Sequence, residues 1–173
     1  GIKYGSHDDG DGATRERYSM IGAKVCEFPT SMAAALVART WGDPVLMGAP
    51  NVVRGGSQSG NIAATMLIAE GACDALVSDY YYPALSQSAF ALSDAGMLAL
   101  PEAWAMISST PARIMGLSDR GTLEVGRRAD LTIINDETRQ IEATMVAVSW
   151  THLSGAVAAR LSQHYAGLSV AVE

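Results

Sequence analysis

The sequence predicts an α/β fold with a parallel sheet, followed by a smaller antiparallel β segment. Three observations carry this. Four short strand-like runs, over 2–6, 25–28, 45–48 and 75–78, start about 20 to 30 residues apart. A helical pattern fills each interval, as βα units require. After Gly116 the texture changes to turn residues between short β-branched runs, as in Gly121-Thr122-Leu123 and Gly126-Arg127-Arg128-Ala129-Asp130, and such a texture favours antiparallel strands over another βα unit.

The elements follow in order. The first run, from Ile2, opens without an initiator Met and reads as a strand already under way, as expected of the C-terminal part of a longer protein. The helix after the second run is the best marked: Thr30 and Ser31 supply caps, Met32, Ala35, Leu36 and Arg39 recur at helical spacing, and Gly42 with Pro44 stops it. The third helix is predicted to begin near Ser59, to carry Ile62, Ala63, Met66 and Leu67 on one face, and to end at Gly71. A fourth is predicted over 85–95, Pro101 opens a fifth at its first-turn position, and Thr110-Pro111 opens a short sixth that Gly116 closes. Strands are predicted over 131–134 and 145–148, and a terminal helix over 153–165. The predicted organisation is therefore an α/β part over 1–117, a β part over 118–150, and a terminal helix with its tail over 151–173.

With 173 residues the chain can form one domain and an appendage. Hydrophobic residues at 49% and charged residues at 17% mark it as globular, and no apolar run approaches a membrane span. Twelve basic against 18 acidic residues, with the arginines dispersed, leave no electrostatic footprint for nucleic acid. A small anionic ligand is still compatible, since a local cluster can oppose a net charge of −6. Cys26 and Cys73 stand far apart without a C-x-x-C, which argues against a zinc ribbon and for reduced thiols in a cytoplasmic setting, with both read as small buried groups.

In parallel βα architectures, ligands bind beyond the carboxyl ends of the strands, where loops converge. Those ends carry Ser6-His7-Asp8-Asp9, Glu27-Phe28-Pro29-Thr30, Ala49-Pro50-Asn51 and Asp79-Tyr80-Tyr81-Tyr82, whereas the strand starts are expected to carry no comparable groups. Taken singly, His7 reads as a hydrogen-bonded structural residue or a metal ligand. Asp8 and Asp9 read as caps or catalytic carboxylates, and Glu27 as the partner of an arginine or a site residue. Their shared position raises the site reading for all of them together. The stretch Arg54-Gly55-Gly56-Ser57-Gln58-Ser59-Gly60-Asn61, placed between the third strand and its helix, reads as a phosphate cradle or as a flexible Gly/Ser loop. As a cradle, its glycines admit close approach, its hydroxyls and helix N–H groups donate, and Arg54 supplies a fork for phosphate oxygens. It is neither a P-loop nor a dinucleotide fingerprint.

Read together, Ser6-His7-Asp8-Asp9, Cys26-Glu27-Phe28-Pro29-Thr30, Met47-Gly48-Ala49-Pro50-Asn51-Val52-Val53-Arg54-Gly55-Gly56-Ser57, Ser59-Gly60-Asn61 and Ser78-Asp79-Tyr80 resemble the PhnM family. These are amidohydrolase-superfamily diphosphatases of the carbon–phosphorus lyase pathway. The similarity continues through Thr110-Pro111-Ala112, Gly116-Leu117, Asp119-Arg120-Gly121 and the more widely shared Gly126-x-x-Ala129-Asp130-Leu131. The resemblance implies a (β/α)8 TIM-like amidohydrolase barrel with a metal centre at its carboxyl face, of which this chain is the last four βα units plus part of a small β domain. It implies that His7 and Asp79 are metal ligands, that Asp79 is also catalytic, and that Arg54, Gly55, Gly56, Ser57, Gln58, Ser59 and Asn61 hold phosphate. The metal implied is divalent, zinc first, with manganese or iron as alternatives. The family's first-strand His-x-His is absent from this chain, and Gln58 stands where the family's loop usually has a His.

The activity implied is hydrolysis of ribose 1-methylphosphonate 5-triphosphate to the 5-phosphate and diphosphate. Two other readings compete: a different amidohydrolase acting on a cyclic amide or amine, and a half-barrel that serves only in assembly. The partners expected are a small phosphorylated substrate and either the chain's own missing N-terminal half or a second copy. Neither nucleic acid nor a membrane is expected. The fragment by itself is expected to be inactive.

Overall fold

The computed structural model describes residues 2–57 and 59–169, and the chain divides into two units, Gly1–Leu117 and Ser118–Glu173. The first unit runs β1 (Ser6–His7), α1 (Gly12–Met20), β2 (Cys26–Glu27), α2 (Met32–Thr40), β3 (Val45–Gly48), α3 (Ala49–Arg54), α4 (Ala64–Ala69), β4 (Ala75–Val77), α5 (Ala84–Asp94), α6 (Leu100–Ala105) and α7 (Ser109–Met115). Its four strands form one parallel sheet in the order β1-β2-β3-β4. The α/β expectation therefore holds, and the sheet is open, with β1 and β4 at its edges.

Register separates the two faces of this sheet. Ser6, Cys26, Val45, Met47 and Leu76 share one face and are all buried. Small and branched residues of the helices complete that core, among them Ala35, Ala38, Val52, Leu67 and Leu92. On the opposite face His7, Glu27, Leu46 and Val77 keep some exposure. One edge is partly covered, because the Leu76 N–H on the outer side of β4 donates to Met106 O at 2.9 Å.

The helix ends follow their sequence signals. Ser31 caps α2 by accepting from Ala34 N at 3.2 Å, Asp11 caps α1 by accepting from Thr14 N at 2.8 Å, and Gly116 closes α7 in the left-handed region at φ 72°. Helix α1 buries a polar face: Arg15 and Ser19, one turn apart, are both inside. Arg15 bridges Asp9 (3.2 Å) and Asp43 (2.9 Å), with all three side chains at most 2% exposed. Ser6 and Ser19 join this network, donating to Asp9 at 2.5 Å and to Asp43 at 2.6 Å. It ties the loop after β1 to α1 and to the start of β3, and it explains why α1 lacks an apolar stripe.

Three local expectations are corrected. The first strand covers only Ser6–His7, because 2–5 has only isolated backbone contacts, such as Lys24 N to Tyr4 O; a Cβ on Gly5 would meet Val25 O at 2.5 Å, so only glycine permits the approach there. The helix predicted from Ser59 starts at Ala64, and an additional helix, α3, directly follows β3. Pro50 in its first turn and Gly55 beyond its end, at φ 76°, are the signals for α3. The Gly-rich loop thus joins two short helices.

The second unit holds an antiparallel sheet of β5 (Leu131–Ile134), β6 (Ile141–Val146) and β7 (Ser149–Leu153), followed by α8 (Gly155–Ser169). The third correction lies here: the predicted strand over 145–148 ends at Val146, and the predicted boundary at 150/151 falls inside β7. Ala147 and Val148 form the turn, both left-handed at φ 47° and 64°. Two successive positive φ values are what a tight hairpin requires, although these positions lack the Asn-Gly that usually announces one. Asp130 secures the turn by accepting from Ala147 N at 2.9 Å and from Arg128 Nε at 2.8 Å. Among the described residues no helix is long and apolar enough to cross a membrane.

Candidate functional site

The carboxyl ends of β1, β3 and β4 and the segment after β2 surround a cleft of about 280 Å3. His7, Asp8, Phe28, Met47, Asn51, Arg54, Gly56, Ser57, Ser59, Asn61, Asp79 and Tyr80 all contribute to it. The structure therefore brings His7 and Asp79, from opposite edges of the sheet, into one cleft with most of the predicted phosphate loop. Gly55 is not part of the lining, since it ends α3, and Gln58 lies outside the described residues. Glu27 does not line the cleft, and Asp9 is drawn into the Arg15 network.

Backbone strain concentrates at the same end. Asp8, Phe28 and Asp79, each just beyond a strand, occupy the left-handed region at φ 59°, 51° and 53°. Non-glycine residues adopt it at a cost of about 1–2 kcal/mol each, and such outliers cluster where side chains must be aimed. His7 is held from two sides. Its Nδ1 lies 2.8 Å from Asp8 Oδ2, and its ring meets Phe28 edge-on at 5.0 Å and 89°. A carboxylate on one imidazole nitrogen fixes the tautomer and leaves Nε2 as the free donor atom, the arrangement common to metal-binding histidines.

The loop after α3 is organised by Ser57, whose Oγ accepts from Asn61 N at 3.2 Å and Ser59 N at 3.3 Å. Asn51 Oδ1 accepts from Ala64 N at 3.0 Å, so the first N–H of α4 is already used. The Ser57 hydroxyl and the Arg54 guanidinium both line the cleft. Arg54 lies at the last turn of α3, with its guanidinium carbon 5.3 Å from the Tyr80 ring centre. Phe28 and Tyr80 are the residues that motif reading left without a role; only their position beside strand ends pointed to them.

His7 and Asp79 are suited by chemistry to a divalent ion, yet among the described residues no group of three His, Cys, Asp or Glu side chains gathers to hold one. Protein-bound zinc ordinarily takes three or four protein ligands. The donors present fit such an ion in kind and fall short in number. Both thiols are free, and burial, reinforced by Asp9 beside Cys26 and Asp74 beside Cys73, pushes each up to about 12. Neither is a nucleophile at neutral pH.

A larger cleft, of about 550 Å3, lies at the strand starts. It corrects the expectation that this end lacks polar groups: Lys3, Lys24, Arg39, Arg113, Asp43 and Asp74 line it. Several of these are committed to one another, Lys24 with Asp43 at 3.6 Å and Arg39 with Asp74 at 4.0 Å. The smaller cleft combines the imidazole, the carboxylates, the arginine and the strained strand ends.

Comparison with known proteins bears on the fold and on the resemblance read from the motifs. The model of the Amidohydrolase family matches residues 80–159. N-acetylglucosamine-6-phosphate deacetylase from Pasteurella multocida superposes with a TM-score of 0.66 at 14% identity, over 88% of this chain and 51% of that one. Beta-aspartyl dipeptidase from Fervidobacterium islandicum AW-1 superposes with a TM-score of 0.61 at 16% identity, over 77% and 40% of the two chains. In fold and in sequence the chain is thus similar to amidohydrolases. It resembles the PhnM diphosphatases, as its motifs indicated: it is 42% identical over 142 residues to alpha-D-ribose 1-methylphosphonate 5-triphosphate diphosphatase of Escherichia coli K12. That alignment takes in 81% of this chain and 38% of the relative.

Proposed function

We propose that the chain is part of a metal-dependent diphosphatase of phosphonate metabolism, cleaving diphosphate from ribose 1-methylphosphonate 5-triphosphate in a cytoplasmic setting. The supporting observation is that His7, Asp79 and Arg54 share one cleft in a chain 42% identical to the diphosphatase of that name. In this reading the four strands are the last four βα units of an eight-stranded barrel. The uncovered side of the sheet is then filled by the remainder of a longer chain or by a second copy.

A divalent metal, zinc first with manganese or iron as alternatives, would be held by His7 and Asp79 and would lower the pKa of a bound water. Asp8 keeps the proton on His7 Nδ1 and so presents Nε2 toward the cleft. Asp79 takes a proton from the attacking water. The water oxygen bonds to phosphorus, the P–O bond between the first and second phosphoryl groups breaks, and diphosphate departs. Arg54 and the Ser57 hydroxyl hold the phosphoryl oxygens as charge builds on the leaving group.

Calorimetry with inorganic triphosphate tests the substrate class. Binding by this chain that Arg54→Ala weakens by about 1.5–3 kcal/mol, the scale of charge-assisted hydrogen bonds, is the expected result. Binding that is indifferent to Arg54 would remove that residue from the site, and a preference for a cyclic amide would move the chain to another amidohydrolase reaction. Diphosphate release, followed by phosphorus NMR, is expected from a full-length protein and not from this chain alone.

A further inference from the structure

Tyr80 has no role in the chemistry above, yet it lies against the Arg54 guanidinium that lines the cleft. Its ring lies 5.3 Å from the Arg54 guanidinium carbon, and it is 62% exposed, so packing in a core does not account for its position. Among the described residues no carboxylate is paired with Arg54. A guanidinium resting on an aromatic ring has one face occupied and its in-plane N–H groups free.

We infer that Tyr80 is a positioning residue for Arg54, holding the guanidinium over its ring so that the N–H edge faces the cleft before an anion arrives. The inference rests on the polyphosphate reading of the cleft. Arg54 sits at the end of α3, where Gly55 turns the chain away at φ 76°, and the Tyr80 ring is its cation–π partner. Ordering a long side chain costs rotamer entropy; a stack formed in the free protein meets that cost before binding. Asp79, the neighbour of Tyr80, occupies φ 53°. The strained residue that brings the carboxylate to the cleft thereby also sets the ring beneath Arg54.

The test is a double-mutant cycle read by calorimetry with inorganic triphosphate on the chain as it stands. Tyr80→Leu should weaken binding by about threefold to fivefold, the scale of an exposed cation–π contact. Tyr80→Phe, which keeps the ring, should bind as the parent does. In an Arg54→Ala background Tyr80→Leu should change nothing further. Ring-current shifts of the Arg54 side-chain protons, measured by NMR without ligand, should persist in Tyr80→Phe and vanish in Tyr80→Leu. A Tyr80→Leu loss that survives in the Arg54→Ala background, or the absence of ring-current shifts in the parent, overturns the inference while leaving the substrate class standing. Failure of the parent chain to bind triphosphate at all overturns both.

Discussion

Arg15 shows how one residue can decide a local fold. Its guanidinium is fully buried between Asp9 and Asp43, and Asp9 Oδ1 has no hydrogen-bond partner among the described residues. Removing the cation leaves two carboxylates in a low-dielectric interior, where an uncompensated charge is costly. Arg15→Met is therefore expected to lose about 3–5 kcal/mol of unfolding free energy in urea denaturation, the scale of breaking a buried ion pair. A loss below about 1 kcal/mol, as for an exposed ion pair, would mean that the network is solvated. Because Asp9 also accepts through its carbonyl from Thr30 N at 3.0 Å, the change should disturb the β1 loop carrying His7 and Asp8. NMR shifts of those two residues should move as well.

At the scale of elements, the β6–β7 turn is the most strained part of the second unit. Val148 at φ 64° bears a branched side chain in a region that favours glycine, and Ala147 precedes it in the same region. The double substitution Ala147→Asn, Val148→Gly should raise stability by about 1 kcal/mol, visible as a higher denaturation midpoint, and an unchanged midpoint would count against strain in this turn. Asp130, which secures this turn, is held below its ordinary value of 3.8, first by the Ala147 N–H and then by Arg128 and Arg120. A carboxyl with a depressed folded pKa contributes stability above its unfolded pKa and loses it as pH falls through the folded value. The stability difference between the parent and Asp130→Asn should accordingly be largest near neutrality and shrink below about pH 3.8. A difference that stayed constant through acid would show that the carboxylate charge plays no part.

For the whole molecule, the open parallel sheet is the dominant fact. Both faces of a parallel sheet are ordinarily covered, yet here His7, Glu27, Leu46 and Val77 lie on a partly exposed face, and β1 is an edge strand. We expect the isolated chain to associate with itself at micromolar concentration, with sedimentation velocity showing species larger than a monomer. A monomer that unfolds in a single two-state step would count against this expectation.

The βα rhythm, the antiparallel tail and the resemblance to the PhnM family are legible in the residues alone. These rest on local signals: short apolar runs, Ser31 as a cap, Pro101 and Gly116 at helix ends, and contiguous motifs around His7, Arg54 and Asp79. Position at a strand end marked His7, Asp79 and their neighbours alike as site candidates, because parallel strands deliver their carboxyl ends to one side of a sheet. The family resemblance picked those two out of the set. What sequence could not supply was anything set by contacts between distant segments. Nothing in the residues next to Arg15 announces its burial, which Asp9 and Asp43 bring about from 6 and 28 residues away. Ala147-Val148 carries no turn signal, since its left-handed backbone is imposed by the flanking strands and by Asp130, 17 residues earlier. Likewise, Tyr80 acquires a partner only because the end of β4 and the end of α3 meet at the cleft. Local propensity is written in neighbouring residues, whereas burial, strain and side-chain stacking depend on which distant residues the folded chain brings together.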